Sequence, residues 1–229
     1  SRKAKSFNLK VLSFGTHLKS DVRLKKIMKN NNKSKIVILK KKQPIKFEIK
    51  DLNIYNVLAA IAILDELKVK LKSIKSKFKK YEPVEGRGKK YLISRYKKKF
   101  KLIDESYNAN PLSVKNAIMK LGSIKKERFK KYLVLGDMLE LGLKSKKYHE
   151  ELSKVINNSD IDKVFIKGKK MIFTYKHLKR NKRGNILQNI EDIDLSLSKM
   201  ISNNDYLMIK GSNATGLNGF TKKMLKGAI

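Results

Sequence analysis

Apolar residues recur along this chain in short runs whose spacing shifts between three-and-four and strict alternation, the pattern of mixed helices and strands. Ile54, Val57, Leu58, Ile61 and Leu64 are spaced at three and four, which lines one face of a helix over residues 54–67. Ala59, Ala60 and Ala62 add helix propensity and permit close packing. Ahead of this helix the pattern predicts a strand over 9–12, a helix over 21–28, and strands over 35–39 and 45–49. Behind it, a second amphipathic stretch over 69–78 runs towards Pro83. Glu82-Pro83-Val84-Glu85-Gly86-Arg87-Gly88 then reads as a linker, punctuated by proline and glycine.

Beyond the linker the alternation is more regular. Strands are predicted over 91–94, 100–103, 132–135, 164–166 and 206–209. Helices are predicted over 111–121, 145–156, 171–178 and 190–201, with a closing helix from about Gly216. Asn110 suits an N-cap and Pro111 the first helical position, ahead of Val114, Ala117, Ile118 and Leu121 on one face. Strands alternating with helices imply an α/β fold with a mostly parallel sheet. Ligands of such sheets bind beyond the carboxyl ends of the strands. The most polar loops of the sequence fall there: residues 104–110, Gly136-Asp137 and Lys210-Gly211-Ser212-Asn213.

Composition narrows the partners. A chain of 229 residues is long enough for two domains, divided here as 1–84 and 85–229, and 41% hydrophobic residues suffice to bury a core. No apolar run approaches the roughly 18 residues of a membrane span, and the basic start lacks the apolar stretch of a secretory signal. The expected address is the cytoplasm. The absence of cysteine excludes disulfides and thiolate chemistry. A net charge of +36 suggests an anionic partner. However, the basic residues are mostly lysines spread over the whole chain among Asn and Ile, as an AT-rich genome would give. No cluster of arginine and aromatic residues marks a base-reading surface. Specific nucleic-acid recognition is therefore not expected.

The loop Asp104-Glu105-Ser106-Tyr107-Asn108-Ala109-Asn110-Pro111 concentrates two carboxylates and two amides, donors and acceptors suited to a sugar hydroxyl or a peptide. It resembles the signature that opens the C-terminal domain of Mur ligases, in the form carried by members that add D-alanyl-D-alanine to UDP-N-acetylmuramoyl-tripeptide. Further blocks match in order. Leu135-Gly136-Asp137-Met138-Leu139-Glu140-Leu141-Gly142, with His149 in the next helix, resembles a Gly-Asp-Met-x-Glu-Leu-Gly block. Lys210-Gly211-Ser212 resembles a Lys-Gly-Ser loop, with Asn213 where arginine often follows. Upstream, Phe14-Gly15 with Ser20-Asp21, Asn53 to Ala60, and Gly86-Arg87 resemble blocks of the central domain and the entry to the C-terminal one, with Leu52 in place of a histidine.

The resemblance implies the end of a central ATP-binding domain over 1–84, followed by a Rossmann-like C-terminal domain over 85–229. It implies nucleotide contacts from Asn56, Arg87 and an acid shared between Asp104 and Glu105. Tyr107, Asn108, Asn110, Lys210 and Ser212 would lie on the substrate side. ATP and Mg2+ would serve the complete enzyme, a monomer acting on D-Ala-D-Ala and UDP-MurNAc-tripeptide in peptidoglycan precursor synthesis.

A phosphate loop ending in Gly-Lys-Ser/Thr is needed to hold a triphosphate. Gly211 and Gly216 have the spacing, yet Leu217 stands where the lysine belongs. In the family this loop, the magnesium-binding acids, the modified lysine and the uridine-nucleotide domain precede the segment matched here. The chain alone is therefore expected to be inactive, with no complete cofactor site and no catalytic residue of its own. His17, His149 and His177 form no metal-spaced pair or nucleophilic dyad, and surface or packing roles are expected. The alternatives are a noncatalytic basic module that binds nucleic acid or anionic surfaces, and a degenerate ligase remnant.

Overall fold

Five strands of the larger sheet run parallel, and a sixth is added antiparallel at one edge, in the order Lys89–Arg95, Lys98–Glu105, Tyr206–Lys210, Lys131–Gly136, Lys163–Lys167, Arg183–Leu187. The computed structural model describes all residues except 1–3, 5, 31–32, 41–42, 51–52, 126 and 227–229. Leu52 thus lies outside the described residues. The chain forms two units, Ser1–Pro83 and Val84–Ile229.

In the first unit, β1 (Phe14–Gly15) pairs parallel with β2 (Val22–Asn30), and β3 (Lys33–Lys40) and β4 (Gln43–Lys50) continue the sheet antiparallel. Helix α1 (Ile54–Glu66) is capped by the side chain of Asn53, which accepts from the Tyr55 amide. It sets Val57, Leu58 and Ile61 against Ile36, Ile38, Phe47 and Ile49, as its spacing predicts. Two expectations fail here. Residues 9–12 are not a strand, and residues 22–28 of the stretch read as a helix over 21–28 are strand. The second error has a physical cause. Leu24 pairs with Ile38 and Lys26 with Val37, so Lys25 is an extra residue, and this bulge separates Leu24 and Ile27 by three positions instead of two. The amphipathic stretch over 69–78 is helical only in α2 (Lys75–Lys80).

The second unit opens with the hairpin β5 (Lys89–Arg95) and β6 (Lys98–Glu105). Tyr96 and Lys97 both take positive φ at its turn, matching the twist of the two strands. Then follow α3 (Pro111–Gly122), β7 (Lys131–Gly136), α4 (Ser145–Asn157), β8 (Lys163–Lys167), α5 (Met171–Lys176), β9 (Arg183–Leu187), α6 (Ile190–Met200), β10 (Tyr206–Lys210) and α7 (Leu217–Lys226). Alternation along the strands sorts two cores. Ile103, Leu133, Val164 and Met208 pack with α3, α4 and α5. Leu102, Tyr132, Phe165 and Leu207 pack with α6 and α7. A sheet buried on both faces is the doubly wound architecture. Strand β9 escaped the sequence reading because only Ile186 and Leu187 in it are apolar.

Part of the lysine excess works inside this unit. Lys131 is wholly buried, and its ammonium donates to the Gly122 carbonyl at the end of α3 and to Asp160. Lys98 reaches the Ser198 carbonyl near the end of α6, and Lys182 those of Ser159 and Ile161 just past α4. Cations favour helix C-termini because the last carbonyls lack partners and carry the negative end of the helix dipole.

Candidate functional site

Because β6, β10 and β7 are neighbours, the loops leaving their carboxyl ends share one edge of the sheet. The loop after β6 is fixed from within. Asp104 is buried, and its carboxylate accepts from the Gly86 amide at 2.7 Å and from the amide and hydroxyl of Ser106 at 3.1 and 2.6 Å. Asn218 of α7 donates to the same hydroxyl at 3.2 Å. Glu105 on the adjoining position is partly exposed. Asp104 is thus spent inside the fold, and Glu105 has a face free.

The Gly86-Arg87-Gly88 turn is stapled to this loop. Besides the bond to Asp104, the Tyr107 amide donates to the Gly86 carbonyl at 3.1 Å, and the Gly88 amide to the Asp104 carbonyl at 2.7 Å. Gly86 has φ +73, and a β-carbon there would lie 2.6 Å from that of Tyr107, so no other residue fits. Arg87 is exposed, with its guanidinium 4.6 Å from the centre of the half-exposed Tyr107 ring.

Asn108 and Asn110 are both exposed, with different side-chain duties. Among the described residues the Asn108 side-chain oxygen accepts from the next amide alone, that of Ala109, at 2.7 Å. Asn110 is the N-cap of α3, in a reciprocal box with Ser113.

Lys210 and Ser212, expected to meet ligand, are buried beneath the loop. The Lys210 ammonium donates to the Asn108 carbonyl at 2.9 Å and lies 3.4 Å from a Glu105 oxygen. Burial pulls its pKa down, Glu105 opposes that, and the nearby Arg87 adds to it. The Ser212 hydroxyl accepts from the Leu139 amide at 3.0 Å, and the Ser212 amide donates to the Asp137 carbonyl, tying the β10 loop to the β7 loop. Asn56 stands exposed in the first turn of α1, in the other unit.

Within the block over 135–142, Asp137 has a structural partner. Asp137 accepts from the amides of Lys170 and Met171 and so caps α5. Gly168, at φ +116, leaves room for that carboxylate, since a β-carbon would fall 2.4 Å from its carbon. The missed signal is the start of α5 itself: Lys170 at its N-cap offers no capping oxygen, so the cap must come from elsewhere. His149 is wholly buried, its Nδ1 2.7 Å from the Ser145 carbonyl and its Nε2 accepting from the Met138 amide at 3.1 Å. That pairing fixes a neutral ring protonated at Nδ1, and burial holds its pKa below the usual range. Among the described residues, no group of three His, Cys, Asp or Glu is placed to hold a metal ion. No helix among them is long and apolar enough to cross a membrane.

A doubly wound α/β unit with three converging polar loops defines a ligand-binding domain of the Rossmann-like class. Residues 92–213 match the Mur ligase, glutamate ligase domain, and the chain belongs to the Mur ligase family. It is similar to the UDP-N-acetylmuramoyl-tripeptide--D-alanyl-D-alanine ligase of Bacillus subtilis, 32% identical over 132 residues, covering 56% of this chain and 28% of that protein. The same-named ligase of Buchnera aphidicola from Acyrthosiphon pisum is 31% identical over 182 residues, covering 76% and 37%. In fold it resembles MurF ligase from Thermotoga maritima solved in complex with ADP, with a TM-score of 0.76 and 21% identity over 99% of this chain and 51% of that one. The chain therefore spans well under two thirds of the length of these relatives.

Proposed function

We propose that the chain forms the C-terminal half of an ATP-dependent amide ligase that joins D-alanyl-D-alanine to UDP-N-acetylmuramoyl-tripeptide in cytoplasmic peptidoglycan precursor synthesis. Residues 1–84 complete the ATP-binding domain, and residues 85–229 form the lid that brings the acceptor dipeptide. The observation that carries this reading is the internally braced loop from Glu105 to Asn110, with Tyr107, Asn108 and Asn110 exposed, at the ligand edge of a sheet of this family.

Each residue contributes what its position allows. Glu105 offers a carboxylate to a ribose hydroxyl, Arg87 a guanidinium to an anionic phosphate, and Asn56 an amide on the nucleotide side. Asn108 and Asn110 present amides to the backbone of the dipeptide. Lys210 and Ser212 hold the loop from below, and Asp104 holds it from within. Bound nucleotide supplies the phosphoryl group that activates a carboxylate for attack by an amine. The sequence has no phosphate loop, and the described residues have no cluster of acids for a magnesium ion, so no step of that activation is assigned to this chain.

The test is to combine the chain with a polypeptide that carries the phosphate loop and uridine-nucleotide domain of such a ligase, and to measure phosphate release. Release that depends on D-Ala-D-Ala, with none from the chain alone, is expected. Absence of release, together with steeply salt-dependent binding to arbitrary DNA, would replace this reading with a basic polyanion-binding module.

A further inference from the structure

We propose that Tyr107 is a positioning residue for Arg87 and does not contact the dipeptide: its ring is the surface on which the guanidinium rests, aimed for an anionic phosphate. This rests on the ligase reading and reassigns one residue within it. The first argument is backbone geometry. Three hydrogen bonds tie Gly86 and Gly88 to Asp104 and Tyr107, so the main chain on either side of Arg87 cannot drift from the loop. What remains free is the arginine side chain, a long stem whose ordering costs entropy each time a ligand binds.

The second argument is the company the guanidinium keeps. Among the described residues no carboxylate forms an ion pair with Arg87, and its contact is the Tyr107 ring at 4.6 Å. A ring face attracts a guanidinium through its quadrupole without using the N–H donors, which stay available to phosphate oxygens. A carboxylate in that place would compete with the phosphate. Glu105, the nearest candidate on the loop, is drawn instead towards Lys210.

The third argument concerns Tyr107 itself. Its backbone is held to Gly86, where a β-carbon would fall 2.6 Å from that of Tyr107, so the main chain that carries the ring cannot leave without taking the arginine turn with it. The two sides of the site, linker arginine and acceptor loop, move as one piece.

Two measurements test this. In NMR spectra of the full 229-residue chain, the Arg87 side-chain Nε–H proton should be shifted by the ring current of Tyr107. Tyr107→Phe should keep that shift and Tyr107→Leu abolish it; an Arg87 resonance identical in wild type and Tyr107→Leu overturns the proposal whether or not the ligase reading holds. In the reconstituted ligase, Tyr107→Leu should raise the KM for ATP about two- to five-fold, the range of an exposed cation–π contact. The KM for D-Ala-D-Ala should stay unchanged and Tyr107→Phe should restore the ATP value. A rise in the dipeptide KM with the ATP KM unmoved would return Tyr107 to the dipeptide. A reconstituted ligase without D-Ala-D-Ala-dependent turnover would count against the ligase reading alone, leaving the NMR result to decide the position of Arg87.

Discussion

The buried ammonium of Lys210 donates to the main-chain carbonyl of Asn108 at 2.9 Å, so the end of a central strand and the exposed loop beside it are one hydrogen-bonded piece. The lysine thereby shapes the loop from below. Lys210→Met keeps the stem volume, removes the charge, and leaves the part-buried Asn108 carbonyl without its donor. The second unit should lose about 1.5–3 kcal/mol, the usual worth of a hydrogen bond to a charged group. Thermal melts of the pair check it. An unchanged or raised melting temperature would mean that the loop holds its shape without the lysine.

The two acids at the start of the loop should separate in the same kind of experiment. Asp104→Asn replaces an oxygen that accepts from Gly86 or Ser106 with an amide nitrogen that cannot, and should cost about 2 kcal/mol of stability. Glu105→Gln keeps an oxygen towards the Lys210 ammonium but removes the charge that offsets its burial, and should cost less than Asp104→Asn, about 1 kcal/mol. Its effect should fall on the KM for ATP in the reconstituted ligase. Equal destabilisation by the two changes would refute this division.

Asn108 and Asn110 are not equivalent probes of the dipeptide side. Asn110→Ala removes the N-cap of α3 and should lower stability by about 1 kcal/mol before any effect on turnover is counted. Asn108→Ala loses only the contact to the adjoining Ala109 amide and should melt close to the wild type. A weaker response to D-Ala-D-Ala in Asn108→Ala at unchanged melting temperature supports a direct contact. Unchanged kinetics would remove Asn108 from the site.

Much of the second unit was legible because its signals are local. Pro111 after Asn110 marks a helix start, and the all-apolar run in β7 marks a strand buried on both faces. The first unit was less so, because the Lys25 bulge broke the alternation of β2 into helix-like spacing. At the site, residue types located the loop but not the burial of its members. Nothing in Asp104-Glu105 tells which carboxylate turns inward; Gly86, whose amide Asp104 accepts, lies 18 residues away. Likewise Asp137 caps a helix that begins 34 residues later, a partnership that only the order of strands β7 and β8 creates.

His149 gives a pH dependence with a defined sign. Its folded pKa is depressed, chiefly by burial, below the unfolded value of about 6.5. Below that value the unfolded chain takes up a proton that the native ring resists, so the stability tied to the neutral ring is present above about pH 6.5 and is lost as pH falls through the window down to the folded pKa. Protonation would also put a second N–H against the Met138 amide, which now donates to Nε2. The pH dependence of the wild-type melting temperature should therefore contain an acid-side decline that His149→Gln lacks, although the variant is less stable throughout. Parallel curves for the two proteins below about pH 6.5 would show that the ring is not held neutral by the bonds to Ser145 and Met138.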